Sequence, residues 1–144
     1  MTPERRMIET CACHRVRMAS RALTRRYDEA LRPCGLRATQ VSLLAAVALE
    51  GALSIAALAR TVGMDRSTLT RNLAPLEAEG LLALGGEGWR RSRTLALTAK
   101  GRARLKRALP LWEKAQRALQ RELGRRWDGV QRSLDHVIRT APRA

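Results

Sequence analysis

The sequence predicts a mainly α-helical fold with one small β-hairpin, on three observations. Over most of the 144 residues, apolar side chains recur at spacings of three and four, as in helices that bury one face. Only one stretch breaks that rhythm. Leu81–Leu84 is a short apolar run, G-G-E-G-W-R-R-S follows with its turn residues, and R-T-L-A-L-T alternates like a strand, which together make a hairpin. Finally, Phe is absent and the aromatics are Tyr27, Trp89, Trp112 and Trp127 alone. Ala and Leu must then fill the core, which suits close-packed helices.

Residues 4–32 read as one long helix, with Ile8, Ala12, Val16, Ala19, Leu23, Tyr27 and Leu31 as its stripe. Pro33 and Gly35 end it, with Cys34 in the break. Thr39 is the expected cap of a second helix to Glu50, apolar through Val41, Leu43, Leu44 and Val47 and closed by Gly51. Ser54 caps a third, with Ile55, Leu58 and Ala59 on one face. Gly63 allows a tight turn, and Asp65 caps a fourth helix whose apolar side is Leu69, Leu73 and Leu76. Pro75 removes one backbone bond in its second half. After the hairpin, Thr98 caps a helix running to about Leu123, with a bend expected at Pro110 and a break at Gly124. A last helix, roughly Trp127–Thr140, carries Val130, Leu134, Val137 and Ile138.

The pair of helices in Ser54–Gly80 carries the functional signal. At about 100° per residue, Ser67 and Arg71 point away from the leucine face of the second helix, with Thr68 and Thr70 on its flanks. Short hydroxyls and an arginine opposite an apolar stripe suit a helix that packs on a core and offers its N-terminal half to a DNA groove. An ordinary amphipathic helix pair with a solvated face has the same pattern. The hairpin discriminates between them. Three helices followed by a two-stranded hairpin make a winged helix-turn-helix, and a tip bearing Arg90, Arg91 and Arg93 suits phosphates or the minor groove.

Charge points the same way. The formal net charge is +15, and Arg90 to Arg107 holds eight basic residues and no acidic one. A polyanionic partner explains this most simply, double-stranded DNA before a membrane surface. The most apolar run, Val41–Leu49, is too short to span a bilayer. Met1–Arg17 is dotted with charge and lacks the apolar run of a signal peptide, so a cytoplasmic chain with three reduced cysteines is expected. Enzyme chemistry has little to build on: His14 and His136 are the only histidines, and no Gly-rich phosphate loop or Ser/His/Asp pattern occurs. No cofactor is expected. A basic architectural DNA binder without sequence preference would account for the charge, but not for the matched helix pair and hairpin.

The motif D-R-S-T-L-T-R-N-L-A-P-L-E-A-E-G-L-L at 65–82, the R-R pair before the second wing strand, and L-T-A-K-G at 97–101 resemble the MarR family of bacterial transcription regulators. The resemblance extends over essentially the whole chain. It implies a single domain over residues 1–144: a winged helix-turn-helix lobe at about 36–100, and dimerisation helices at about 4–32 and 101–140. It further implies a homodimer reading a palindromic operator, most simply as a repressor. Ser67, Thr68, Thr70 and Arg71 would face the major groove, Arg66 would join them in binding DNA, and Arg90, Arg91 and Arg93 would serve the wing. Trp89 stands where members usually carry Asp. The resemblance also implies a small-molecule effector in a crevice between helix one and the helix at 39–50. Arg15, Arg17 and Arg21 on helix one hint that it is an anion, although solvated charge also explains them.

The three cysteines leave alternatives open. Cys11-Ala-Cys13-His14 invites a metal reading, but on one helix Cys11 and Cys13 point about 200° apart and only Cys11 and His14 share a face. Within the family, the organic-hydroperoxide branch keeps a reactive cysteine in the first helix and a tyrosine fourteen residues later, the spacing of Cys13 and Tyr27. In that branch the tyrosine reaches the thiol from the other protomer. Two further tyrosines of the branch correspond here to Arg17 and Ala38, and Cys11 or Cys34 would have to act as the resolving thiol. The other reading of Cys13 is an inert, half-buried thiol at a helix contact.

Overall fold

Among the residues that the computed structural model describes (1–51, 53–85 and 94–140), the chain forms seven α-helices and three short strands. The helices are α1 Pro3–Thr10, α2 Ala12–Leu31, α3 Ala38–Glu50, α4 Ile55–Val62, α5 Arg66–Ala78, α6 Ala99–Leu123 and α7 Trp127–Thr140. The strands are β1 Leu53–Ser54, β2 Leu82–Leu84 and β3 Thr94–Leu97, in one antiparallel sheet of order β1-β3-β2. Leu53 and Leu84 both pair with Leu95, and Leu82 with Leu97.

The expected hairpin is therefore the larger part of a three-stranded sheet. Its third strand, β1, has only two residues, too few to show an alternation. Leu53, Leu82, Leu95 and Leu97 turn inward and join Leu43, Leu44, Val47, Leu58, Leu69 and Leu76 in one core. The core is built of leucine and small aliphatics, as a chain without Phe requires.

The single helix expected over 4–32 is broken at Cys11, whose backbone is extended (ψ 115°). One contact accounts for the break. The Arg15 guanidinium takes the Glu9 carbonyl at 3.2 Å, the group that a continuous helix would pair with the Cys13 N–H. With no buried residue in α1, nothing else holds it in line with α2.

Thr39 does not cap α3, which begins one residue earlier. Asp28, from α2, accepts the Ala38 N–H at 2.7 Å, and Gln40 accepts the Arg37 N–H at 2.9 Å. Other expected caps hold. Thr98 accepts the Gly101 N–H at 2.9 Å and donates to the Gly80 carbonyl at 2.6 Å, tying the start of α6 to the end of α5. Gly101 is required by proximity: a Cβ there would sit 2.0 Å from the Leu81 carbonyl oxygen. Both α5 and α6 run on through their prolines, Pro75 and Pro110. Along its length α6 packs on α2, where Arg26 makes a two-pronged bond to Glu122 at 2.7 and 2.5 Å and the Tyr27 hydroxyl donates to Gln116.

Candidate nucleic-acid interface

Two short helices and the turn between them set the geometry. Ser54 caps α4 by accepting the Ala57 N–H at 3.1 Å. At Gly63 the backbone enters the left-handed region (φ 65°), which glycine adopts without penalty. That turn delivers Asp65 to the start of α5 as N-cap, where it accepts the Thr68 N–H at 2.8 Å. The same carboxylate accepts the Ser67 hydroxyl at 2.7 Å and the Thr68 hydroxyl at 2.6 Å. The Thr68 hydroxyl, its backbone N–H and the Ser67 hydroxyl together hold the Asp65 carboxyl well below the ordinary carboxylate range.

Leu69, Leu73 and Leu76 are buried, anchoring α5 by the face that the sequence assigned to the core. Opposite them Arg66, Ser67, Thr70 and Arg71 are exposed, and Thr68 is half-buried. Thr70 donates to the Arg66 carbonyl at 2.8 Å, and Arg71 Nη2 lies 3.4 Å from the Thr68 hydroxyl. Asn72, not singled out in the sequence, donates to the Thr68 carbonyl at 2.8 Å beneath this row. Its position one turn after Thr68 was the only available signal. The wing residues Trp89, Arg90, Arg91 and Arg93 lie outside the described residues. Of the basic block that follows them, Lys100 donates to the Glu79 carbonyl at 2.7 Å and Arg104 to the Cys34 carbonyl at 3.2 Å. These two clamp α6 to the lobe.

The thiols are separated by environment. Cys34 is buried and its Sγ lies 3.0 Å from the Leu31 carbonyl. Cys13 is exposed, with Arg17 Nη2 at 3.5 Å from its Sγ. Cys11 sits in the helix break, so the helical angle that would set it opposite Cys13 does not apply. The Tyr27 hydroxyl, half-buried, is engaged with Gln116 of its own chain, and burial pushes its pKa up. Among the described residues no group of three or more His, Cys, Asp or Glu is placed to hold a metal ion, and no helix is long and apolar enough to cross a membrane.

A cleft of about 660 Å³ opens where α2 and α3 meet. The expected crevice named those two walls. The structure adds two more: Leu109 and Trp112 from α6, and Val130 and Leu134 from α7.

A protein-family model described as the MarR family matches residues 35–91. Among solved structures, the chain is similar to the M. tuberculosis transcriptional regulator MosR in complex with DNA. The two are 40% identical over 90% of this chain and 94% of that one, with a TM-score of 0.83. It is also similar to the transcriptional repressor CouR bound to a 23-mer DNA duplex, at 26% identity, 92% and 94% coverage and a TM-score of 0.77. The fold is shared as well with Bordetella bronchiseptica BpsR, whose DNA binding is regulated by 6-hydroxynicotinic acid, at 23% identity, 92% and 96% coverage and a TM-score of 0.78. No curated protein sequence matches the chain.

Proposed function

The chain belongs to the MarR family of DNA-binding transcription regulators, and on that premise we propose that it acts as a homodimeric repressor of a palindromic operator, released by a small-molecule or oxidant signal. The observation that carries the reading is α5 itself. A helix anchored by Leu69, Leu73 and Leu76 turns Arg66, Ser67, Thr70 and Arg71 outward beside the sheet, on a chain of net charge +15. Arg71 is the residue for a bidentate guanine contact, with Ser67, Thr68 and Thr70 beside it in the major groove. Arg90, Arg91 and Arg93 serve the wing, and Arg66 the phosphates.

Dimerisation is supported by apolar surface that one chain leaves uncovered. No residue of α7 is buried, and Ile138 is 73% exposed. Val16 and Leu23 on α2 and Leu109 and Trp112 on α6 are also exposed large apolar side chains. A two-fold partner would cover such a face. The two recognition helices then sit roughly one helical turn of DNA apart, about 10 base pairs.

The deciding experiment is binding to a palindromic duplex from the gene's own upstream region and to a scrambled duplex of equal length, at one stated salt concentration. A two-fold symmetric footprint and a preference of at least 100-fold are expected. Equal affinity for both duplexes would mean a sequence-indifferent architectural binder.

A second reading, a thiol-based organic-peroxide sensor of the same fold, is favoured by the exposure of Cys13 and its arginine neighbour. In it the Cys13 thiolate attacks the outer oxygen of a hydroperoxide, giving a sulfenic acid and the alcohol. A second thiol then displaces water to form a disulfide. With Cys34 buried, Cys11 is the thiol left for that step. Tyr27 would have to leave Gln116 to assist a partner's Cys13.

A further inference from the structure

We propose that Ser67 reads a base amino group, adenine N6 or cytosine N4, and that Asp65 fixes this preference as a positioning residue without touching DNA. The inference rests on the operator reading above and names the base chemistry that the start of α5 recognises.

A serine hydroxyl has one proton to donate and two lone pairs with which to accept, whereas a carboxylate or a backbone carbonyl only accepts. The exposed Ser67 hydroxyl lies 2.7 Å from Asp65 Oδ1, so its one proton is spent inside the protein. What it turns outward is lone pairs alone. Thr70, also exposed, spends its proton in the same way on the Arg66 carbonyl at 2.8 Å. Thr68, half-buried, gives its own to Asp65 Oδ2 at 2.6 Å. The row therefore offers DNA no hydroxyl donor.

The bond from Ser67 is held firmly. The same Asp65 oxygen caps α5 through the Thr68 N–H at 2.8 Å, so it cannot swing away from Ser67 without uncapping the helix. Bonds from Thr68 and Ser67 keep the Asp65 carboxyl ionised across the neutral range, and an ionised carboxylate has no proton to return. A hydroxyl bond to a carboxylate is roughly twice as strong as one between neutral partners. A base oxygen or ring nitrogen thus offers the Ser67 proton a weaker bond than the one it has. A phosphate oxygen in the same place would stand beside the Asp65 charge, which repels it.

The donors of the row are arginines. Arg71 carries N–H groups only, which suit guanine O6 and N7. Asn72 has its amide on the Thr68 carbonyl at 2.8 Å, beneath the row. In the major groove the donors that can meet a lone pair are the amino groups of adenine and cytosine; guanine and thymine present acceptors there. Ser67 accordingly favours an amino base over a keto base at the position it touches.

In the test, the full chain selects duplexes from a randomised pool, and Ser67→Ala identifies the base pair whose preference Ser67 sets. At that pair, in both half-sites, two single-group deletions are compared. One removes the amino group, with purine for adenine or 2-pyrimidinone for cytosine. The other removes the oxygen of the partner base, with 5-methyl-2-pyrimidinone for thymine or 2-aminopurine for guanine. Loss of the amino group is expected to weaken wild-type binding about three- to tenfold per half-site beyond its effect on Ser67→Ala. Loss of the oxygen should weaken both proteins alike. Each deletion also loosens the base pair, and the comparison with Ser67→Ala cancels that effect. Asp65→Ala leaves the Ser67 hydroxyl free to donate, so its preference for the amino group should vanish.

A Ser67 dependence carried by the oxygen overturns the inference, because the hydroxyl is then a donor. So does a Ser67→Ala protein that keeps every base preference of the wild type, whatever its affinity, because Ser67 then reads no base. An Asp65→Ala protein with the full amino preference overturns the part given to Asp65. All three results leave the operator reading standing. A wild type that selects no sequence overturns that reading, and this inference with it.

Discussion

The Asp65 carboxylate accepts both the backbone N–H of Thr68, at 2.8 Å, and its hydroxyl, at 2.6 Å. One side chain thus starts α5 and fixes the half-buried Thr68 hydroxyl beside its outward polar row. Asp65→Ala is expected to lower Tm by a few degrees at pH 7, and Asp65→Asn by less, because Asn caps nearly as well. The pKa is depressed in the folded chain, so the stabilisation is present above the unfolded value, about 3.9, and is lost as pH falls below it. The gap between wild type and the Ala variant should narrow from pH 5 to pH 3 in melts followed by circular dichroism. A gap of constant size would mean that the carboxylate charge plays no part.

Arg71 and Arg91 should differ in kind. Arg71→Ala is expected to cost roughly 1–3 kcal/mol on the cognate operator and to relax discrimination at one base position. Arg91→Ala should weaken all duplexes alike and reduce the salt slope by about one unit. Titrations against operator variants at several salt concentrations distinguish the two. If Arg71→Ala discriminates as well as wild type, α5 does not read the sequence through that residue.

Gly101→Ala should destabilise the fold by about 1–3 kcal/mol through overpacking, because the added methyl meets the Leu81 carbonyl, a backbone atom that cannot step aside alone. By helix propensity alone the same change would stabilise α6 by about 1 kcal/mol. The sign of the change in urea unfolding therefore tests the close approach of α6 to the Leu81 carbonyl.

Stoichiometric organic hydroperoxide should lower operator affinity of the wild type at least tenfold under the peroxide-sensing reading, and leave Cys13→Ser unaffected. Cys11→Ser should stop the reaction at the sulfenic acid, visible by mass as one added oxygen. An unchanged wild type, or an equal response from Cys13→Ser, makes Cys13 structural.

What could be read ahead of the structure was what neighbouring residues decide between themselves. Ser54, Asp65 and Thr98 cap helices through bonds that span three residues, and the leucine stripe of α5 follows from helical period. What escaped depends on partners far along the chain. Asp28 caps α3 across ten residues, and β1 is a strand only because β3 lies beside it. The break at Cys11 needed the Arg15 side chain to reach back to Glu9. Two walls of the cleft come from α6 and α7, which no window around α2 and α3 contains. The outward row on α5 was legible residue by residue, but the Asp65 bonds that organise it were foreseen only as a cap.

Pro110 has no N–H, so α6 lacks one rung of its ladder midway along its 25 residues. On one side of that gap, Thr98, Lys100 and Arg104 rivet the helix to the winged lobe; on the other, Gln116 and Glu122 rivet it to α2. The two halves of one continuous helix thus answer to different partners, and the missing rung between them is flanked by Leu109 and Trp112, both walls of the cleft. The outer half, Leu111–Leu123, is about 20 Å long, so a flexion of about 10° carries its tip about 3.5 Å. That is the height of one step on the DNA ladder, about 3.4 Å. Under the homodimeric reading proposed above, a flexion that small would be enough to put the two lobes out of step with the grooves they enter together.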